Sequence, residues 1–378
     1  MDDDKIKVLD VRDSPWYDGP GRTIIEVATG LQRRDIDISI STFVSPGIHN
    51  ADYLDIARKN ELVTYEIQES AMFDRQVLEQ ILSICQSQGI DIIHSHEFRS
   101  NVYGLYAAKK LGLPLISTAH GWIANSVKRK LFAVIDKILL SLFFDRVIAV
   151  SDSVAGKIYA SRFSKRSIVT VHNTLDTKKY QIAHDNQLRR QYNIPDDVKL
   201  IAKIGRLSPE KRQANLIHCI KRLLDKGHRC CLLMVGVGPD EAELKGLVES
   251  LGLSDAVFFT GFIKQMQPVY SEVDLVVQTS STEGLPNVIL EAMLMRVPVI
   301  ATDVGGTSEV VLNDQFGTLI EPDNDDLLFA RIQEFLESPD RFNKKLDAAE
   351  SRIREHFDSD VRLTRMAEIY RSVIQKDH

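Results

Sequence analysis

Short runs rich in apolar and β-branched residues alternate along the chain with segments of helical periodicity. In the first half the runs are IKVLDV (6–11), DISISTFV (37–44), VTYEI (63–67), DIIHSH (91–96), PLISTAH (114–120), RVIAVS (146–151) and SIVTVHN (167–173). Several are apolar along their length rather than alternating, as strands covered on both faces should be. The polar stretch TLDTKKYQIAHDNQLRRQYNIPDDV (174–198) breaks the rhythm. A second series follows: KLIAKIGRL (199–207), RCCLLMVG (229–236), AVFFTGF (256–262), LVVQTS (275–280), PVIATDV (298–304) and GTLIEP (317–322). The last fifty residues read as helical. Strands that alternate with helices predict parallel sheets, so the expected fold class is α/β, with two doubly wound, Rossmann-like domains in series. The expected boundaries are 1–175, a linker at 176–198, 199–357, and a final segment at 358–378. Ligands of such sheets bind beyond the carboxyl ends of the strands, and two such domains place a site in the cleft between them.

The length, 378 residues, agrees with two cores rather than one. A net charge of -6 argues against a protein built to coat nucleic acid. The charge is uneven: from Phe98 to Tyr180 there are 14 Lys+Arg against 4 Asp+Glu, a local excess of +10. Such a stretch suits a solvated face, anionic lipid head groups or a phosphorylated substrate. The cysteines, Cys85, Cys219, Cys230 and Cys231, form no CxxC pair and read as reduced core thiols of a cytoplasmic protein. MDDDKIKVLD has no apolar core of a signal peptide, and ILLSLFF (138–144) is too short to span a bilayer.

The chemistry gathers at the strand ends of the second series. Glu283 and Glu291 flank Pro286, a residue suited to the first turn of a helix reaching about Met295. Glu283 then lies on the preceding loop and Glu291 in the second turn. At about 1.5 Å of rise per residue the two carboxylates stand several ångströms apart along the axis. That spacing suits two ends of an extended polar ligand better than one scissile bond, and it equally fits two surface acids near a helix start. The free amides between them make a seat for a diphosphate. GRLSPEK (205–211) offers Arg206 and Lys211 at the same edge, cations that a pyrophosphate leaving group needs when no metal neutralises it. GVGPDEAEL (236–244) is a glycine turn opening a helix, weak evidence alone. No Asp-x-Asp stands at a strand end and no His/Cys cluster has metal spacing. The HSH pair, His94 and His96, is expected to send its side chains to opposite faces, which argues against a shared metal.

GRLSPEK, VGVGPDEAEL, FTGF and STEGLPNVILEAMLMRVPVIATDVGGTSEVV together resemble the donor half of the retaining GT-B glycosyltransferases of family 4, glycosyl transferases group 1. HSHEFRSNVYGLYAAKKLGLPLISTAHGW, DRVIAVSDSV and VHNTLD are similar to the first half of the same family. The resemblance implies a first domain that binds acceptor, a second that binds donor, and a C-terminal helix returning to the first. It implies that Glu291 binds the ribose and Glu283 the donor sugar, while Arg206 and Lys211 hold the diphosphate. Amides of Gly284, Leu285 and Asn287 help them, Gly261 lies with the donor, and His120 of TAHGW reaches the sugar. Arg99 is assigned to acceptor or phosphate. Two departures stand out. The usual Gly-Gly loop after the first strand reads Asp18-Gly19-Pro20-Gly21. Gly19 and Gly21 remain donor-site residues, and Asp18 either repels phosphate or binds an acceptor hydroxyl. The usual Asn-Gly turn reads Asn173-Thr174, where threonine tolerates positive φ poorly.

The implied reaction moves a hexosyl unit from a UDP- or GDP-linked sugar, with retention and without metal or other cofactor, to a glycan or lipid-linked acceptor in cell-surface polysaccharide assembly. Rival readings are an epimerase or phosphorylase of the same fold, a glycosidase using Glu283 and Glu291, and a non-catalytic sugar-nucleotide or glycan-binding relative. The basic stretch, with VKRK (127–130) ahead of an apolar helix, adds peripheral contact with an anionic membrane.

Overall fold

The computed structural model describes residues 5–45, 52–122, 126–159, 168–181, 187–312 and 314–375. The chain divides into two compact units, Met1–Thr174 with Ser359–His378, and Leu175–Asp358.

Among the described residues the first unit carries seven strands: β1 (Ile6–Arg12), β2 (Ile36–Val44), β3 (Thr64–Gln68), β4 (Ile92–Ser95), β5 (Leu115–Ala119), β6 (Arg146–Ala149) and β7 (Ile168–Thr170). They form one parallel sheet in the order β3-β2-β1-β4-β5-β6-β7. Chain order reverses between β1 and β4, where Asp10 pairs in register with His94. One core cluster packs Val8, Ile24, Leu31 and Ile92 against Met366, Ile369, Tyr370 and Val373 of the helix Ser359–Ile374. Arg362 of that helix is buried and donates to the carbonyls of Val171 and His172 and to Asn173 Oδ1. Burial lowers Arg362 to about 10. Neither Asn173 nor Thr174 adopts positive φ, so the Asn-Thr turn is held by this arginine rather than by a left-handed residue.

The second unit carries β8 (Lys199–Ile204), β9 (Cys230–Val235), β10 (Val257–Gly261), β11 (Leu275–Gln278), β12 (Val299–Thr302) and β13 (Thr318–Ile320). They also form a parallel sheet, in the order β10-β9-β8-β11-β12-β13, which reverses between β8 and β11. Leu216, Ile220, Met234, Val277, Ile300 and Phe335 are buried in its core. The segment expected as a linker belongs to this unit: Glu272 accepts from the amides of Leu188 and Arg189, and Arg189 pairs with Asp274 at 2.7 Å. All four cysteines are free and buried, and burial pushes the thiols of Cys85, Cys219 and Cys230 up to about 12.

Candidate functional site

The residues picked out in the second unit meet at the β8/β11 switch point. β8 delivers the turn Gly205-Arg206-Leu207, and the glycines of GVG let a second turn pack onto it. A Cβ at Gly238 would lie 2.1 Å from the Leu207 carbonyl oxygen, so only glycine fits there. The Leu207 amide in turn donates to Val237 O at 3.0 Å. Gly261 closes the neighbouring strand end, its carbonyl accepting from the Gly236 amide.

β11 delivers Glu283. Its Oε1 accepts from Lys211 Nζ at 2.6 Å and from Gln278 Nε2 at 2.8 Å. The loop that carries Glu283 is pinned from behind by the paired glycine after β12. Gly305 sits at φ +59, and a Cβ there would lie 1.9 Å from the Glu283 carbonyl oxygen. The Gly306 amide donates to Gly284 O at 2.7 Å. The helix Asn287–Leu294 then starts after Pro286 with no side-chain cap, which leaves helix-start donors to a ligand. Asn287 Oδ1 is buried with no hydrogen-bond partner among the described residues, a polar atom that a bound group would satisfy. Glu291, in the second turn, is buried and accepts from Tyr270 Oη at 2.7 Å. Arg206 is exposed, and its guanidinium pairs with no acid among the described residues. Arg206, Lys211, Glu283, Gly284, Leu285, Asn287 and Glu291 are thus gathered at one sheet edge.

The first unit assembles a different cluster at its own switch point. His96 Nε2 lies 2.6 Å from Asp10 Oδ2, and His96 Nδ1 lies 3.1 Å from Nε2 of His120, which follows β5. His94 meets Tyr370 Oη at 2.7 Å and Thr118 Oγ1 at 2.9 Å. The rings of His94 and His96 stack, with centroids 4.6 Å apart. This corrects the expected opposite facing: residues two apart along a strand share a face. Asp10, His94 and His96 bring ligand atoms within 4.8 Å of one another, but each imidazole nitrogen already meets a protein partner. Burial lowers His94 to about 3, holds His96 and His120 well below the usual histidine range, and raises Asp10 to about 7.

The Asp18 carboxylate is engaged within the first unit. It caps the helix Gly19–Leu31 by accepting from the Gly21 amide at 3.0 Å, and it accepts from Arg12 Nη2 at 2.7 Å. The expected DGPG loop is therefore a cap and the first turn of a helix, with Gly21 leaving room for the Arg12 guanidinium. Burial disfavours the Arg12 charge, but Asp18 and Glu97 outweigh it and hold the group above the usual arginine range. Arg99 is spoken for as well, by Glu69 and, at 3.1 Å, Asp13. The sequence reading passed over Asp10, Arg12, Lys203 and Gln278. Asp10, Lys203 and Gln278 are polar residues within apolar strand runs and Arg12 ends one, and that is the available signal.

Two parallel α/β units, with cations and paired acids at the switch point of the second, define a GT-B glycosyltransferase. The family model described as Glycosyl transferases group 1 matches residues 184–355, and that described as Glycosyltransferase Family 4 matches residues 17–179. The chain belongs to the glycosyl transferases group 1, with a first half of the family 4 type. It is 25% identical over 373 residues to the N-acetyl-alpha-D-glucosaminyl L-malate synthase of Bacillus anthracis, covering 96% of each chain. It is 24% identical to the alpha-monoglucosyldiacylglycerol synthase of Streptococcus pneumoniae, over 86% of this chain and 77% of that one. Among solved structures, Anabaena Alr3699/HepE in complex with UDP-glucose superposes with a TM-score of 0.87 at 21% identity, covering 97% of this chain and all of that one.

Proposed function

We propose that the protein transfers a hexosyl unit, with retention of anomeric configuration, from a nucleotide-diphosphate sugar to a glycan or lipid-linked acceptor. The observation that carries this reading is the joint placement of Lys211, Glu283 and Glu291 around the uncapped start of the helix Asn287–Leu294. Glu291 holds the ribose, Glu283 the sugar hydroxyls, and the helix-start amides with Arg206 and Lys211 hold the diphosphate. The acceptor hydroxyl oxygen attacks C1 from the face that the nucleoside diphosphate leaves. The C1–O bond to phosphate breaks as the new glycosidic bond forms, and the hydroxyl proton passes to the departing phosphate oxygen. The cations stabilise charge on the leaving group, so the step requires neither a protein base nor a metal. The named relatives, one a synthase of a glucosaminyl malate and one of a glucosyldiacylglycerol, support a small or lipid acceptor in glycolipid or polysaccharide assembly.

A membrane-bound acceptor has support in the helix Val127–Phe143. Val127, Leu131, Val134, Ile138 and Leu142 recur every three or four residues and are all exposed, with exposed Lys128, Arg129 and Lys130 beside them. An apolar stripe flanked by cations fits the interface of an anionic bilayer. Arg162, Lys165 and Arg166 of the basic stretch lie outside the described residues. Among the described residues no helix is long and apolar enough to cross a membrane. Sedimentation with anionic vesicles, and not with neutral ones, is the expected result. Equal, negligible binding to both refutes peripheral attachment.

The test of the main reading is a thermal-shift panel of UDP, GDP, ADP, UDP-glucose, UDP-GlcNAc and GDP-mannose in EDTA. Binding to the folded chain raises its melting temperature by mass action. A shift with one base, lost in Glu291→Ala and Arg206→Ala, supports the transferase. No shift with any of them moves the reading to a non-catalytic relative.

A further inference from the structure

The amine of Lys203 has no part in the roles above, although it is only 1% exposed and sits directly behind the site. Its Nζ donates to Gln278 Oε1, and Gln278 Nε2 donates to Glu283 Oε1 at 2.8 Å. Lys211 Nζ donates to that same oxygen from the other side at 2.6 Å. β8 and β11 are neighbours, so the two polar side chains meet within an otherwise apolar layer, where either one alone would be costly. The chain of bonds admits one orientation of the amide. The Glu283 carboxylate only accepts, so it requires the NH2 end of Gln278. The carbonyl end then faces back, and Lys203 donates to it whether or not the amine carries a charge. Burial, and then Lys211, hold Lys203 well below the usual lysine range, with Glu283 opposing. Glu283 Oε1 is thereby taken twice, while Oε2 has no hydrogen-bond partner among the described residues.

We propose that Lys203 and Gln278 form a positioning pair that fixes the Glu283 carboxylate with Oε2 presented to the hydroxyls of the donor sugar. The pair is then a determinant of sugar recognition, acting through Glu283 without touching the ligand. This rests on the nucleotide-sugar reading of the site.

The test is titration calorimetry of the full chain with UDP and GDP against UDP-glucose, UDP-GlcNAc and GDP-mannose. The variants are Lys203→Met and the double variant Lys203→Met/Gln278→Met. The single variant leaves Gln278 Oε1 unpartnered and is the one at risk of misfolding. The double variant replaces both groups with apolar chains of similar length and leaves no orphaned buried atom. In the double variant the nucleoside diphosphate should bind within about twofold of wild type, while the nucleotide sugar should weaken by about tenfold, the loss of one charge-assisted hydrogen bond. Equal weakening of both ligands would mean a packing role only, and an unchanged sugar preference would likewise overturn the proposal. If the wild-type chain bound no nucleotide at all, the underlying reading would fall and this one with it, a pattern distinct from either of those results.

Discussion

Replacing Gly305 with alanine should disable the donor site without touching any side chain assigned to a ligand. Gly305 sits at φ +59, where a Cβ would lie 1.9 Å from the Glu283 carbonyl oxygen and 3.2 Å from that of Gly284. Bringing the first contact out to 3.0 Å, below which real Cβ atoms essentially never come, moves the loop by at least 1.1 Å. That shift strains the 2.7 Å bond from Gly306 N to Gly284 O and carries Glu283 away from Lys211 and Gln278. A displacement of about 1 Å at a reacting centre costs roughly a hundredfold in rate. The left-handed backbone adds about 1–2 kcal/mol of instability of its own. Gly252 provides the control: it sits at φ +67 with nothing within 4 Å of the added methyl, so Gly252→Ala carries the backbone cost without the clash. The assay is turnover of the donor sugar nucleotide, with or without acceptor, beside a thermal melt. Gly305→Ala should lose about a hundredfold in kcat/KM while Gly252→Ala stays within about twofold of wild type. Equal activity in the two variants refutes the claim that the glycine pair sets the position of Glu283.

Two further outcomes follow from buried hydrogen bonds. Tyr270→Phe removes the 2.7 Å bond to Glu291 Oε2, so nucleotide affinity should fall by about tenfold, with about 1.5–3 kcal/mol of stability. Unchanged calorimetric affinity and melting would show that Tyr270 does not hold Glu291. In the first unit, Asp10 is raised by burial from 3.8 to about 7, so between those values the folded chain keeps a proton that the unfolded chain has released. Its contribution to stability is present below about pH 4 and is lost as pH rises through 7. His94, lowered to about 3, and His96 and His120 act in the opposite sense, losing stability as pH falls below 6.5. Asp10→Asn removes the offset, so stability should drop more steeply between pH 6.5 and 4.5, by up to about 1.4 kcal/mol per pH unit. Melts that fall in parallel with wild type across that range would contradict the assignment.

The parallel sheets were legible because their strands are covered on both faces. Runs such as CCLLMV (230–235) and VIAV (147–150) are apolar throughout, and turn residues follow them. The start of the helix Asn287–Leu294 was legible from Pro286, and the glutamates on either side of it from their spacing. What escaped was pairing at long range. Lys203 and Gln278 are 75 residues apart, and nothing local announces that they meet. His94 and His96 share one face of β4, as strand periodicity requires, but nothing local shows that His96 joins Asp10 to His120. The role of Asp18 as a cap depended on Arg12, whose guanidinium reaches it from inside β1.

On the proposed reading, Glu283 and Glu291 hold opposite ends of one donor. The direct test compares the binding of a nucleoside diphosphate and of its sugar-linked form, by calorimetry in EDTA, in Glu283→Ala and Glu291→Ala. Glu291→Ala should weaken both ligands, whereas Glu283→Ala should weaken only the sugar-linked one and leave the nucleoside diphosphate within about twofold of wild type. If the two variants lose the two ligands to the same extent, the acids do not divide the donor between them and the assignment is wrong.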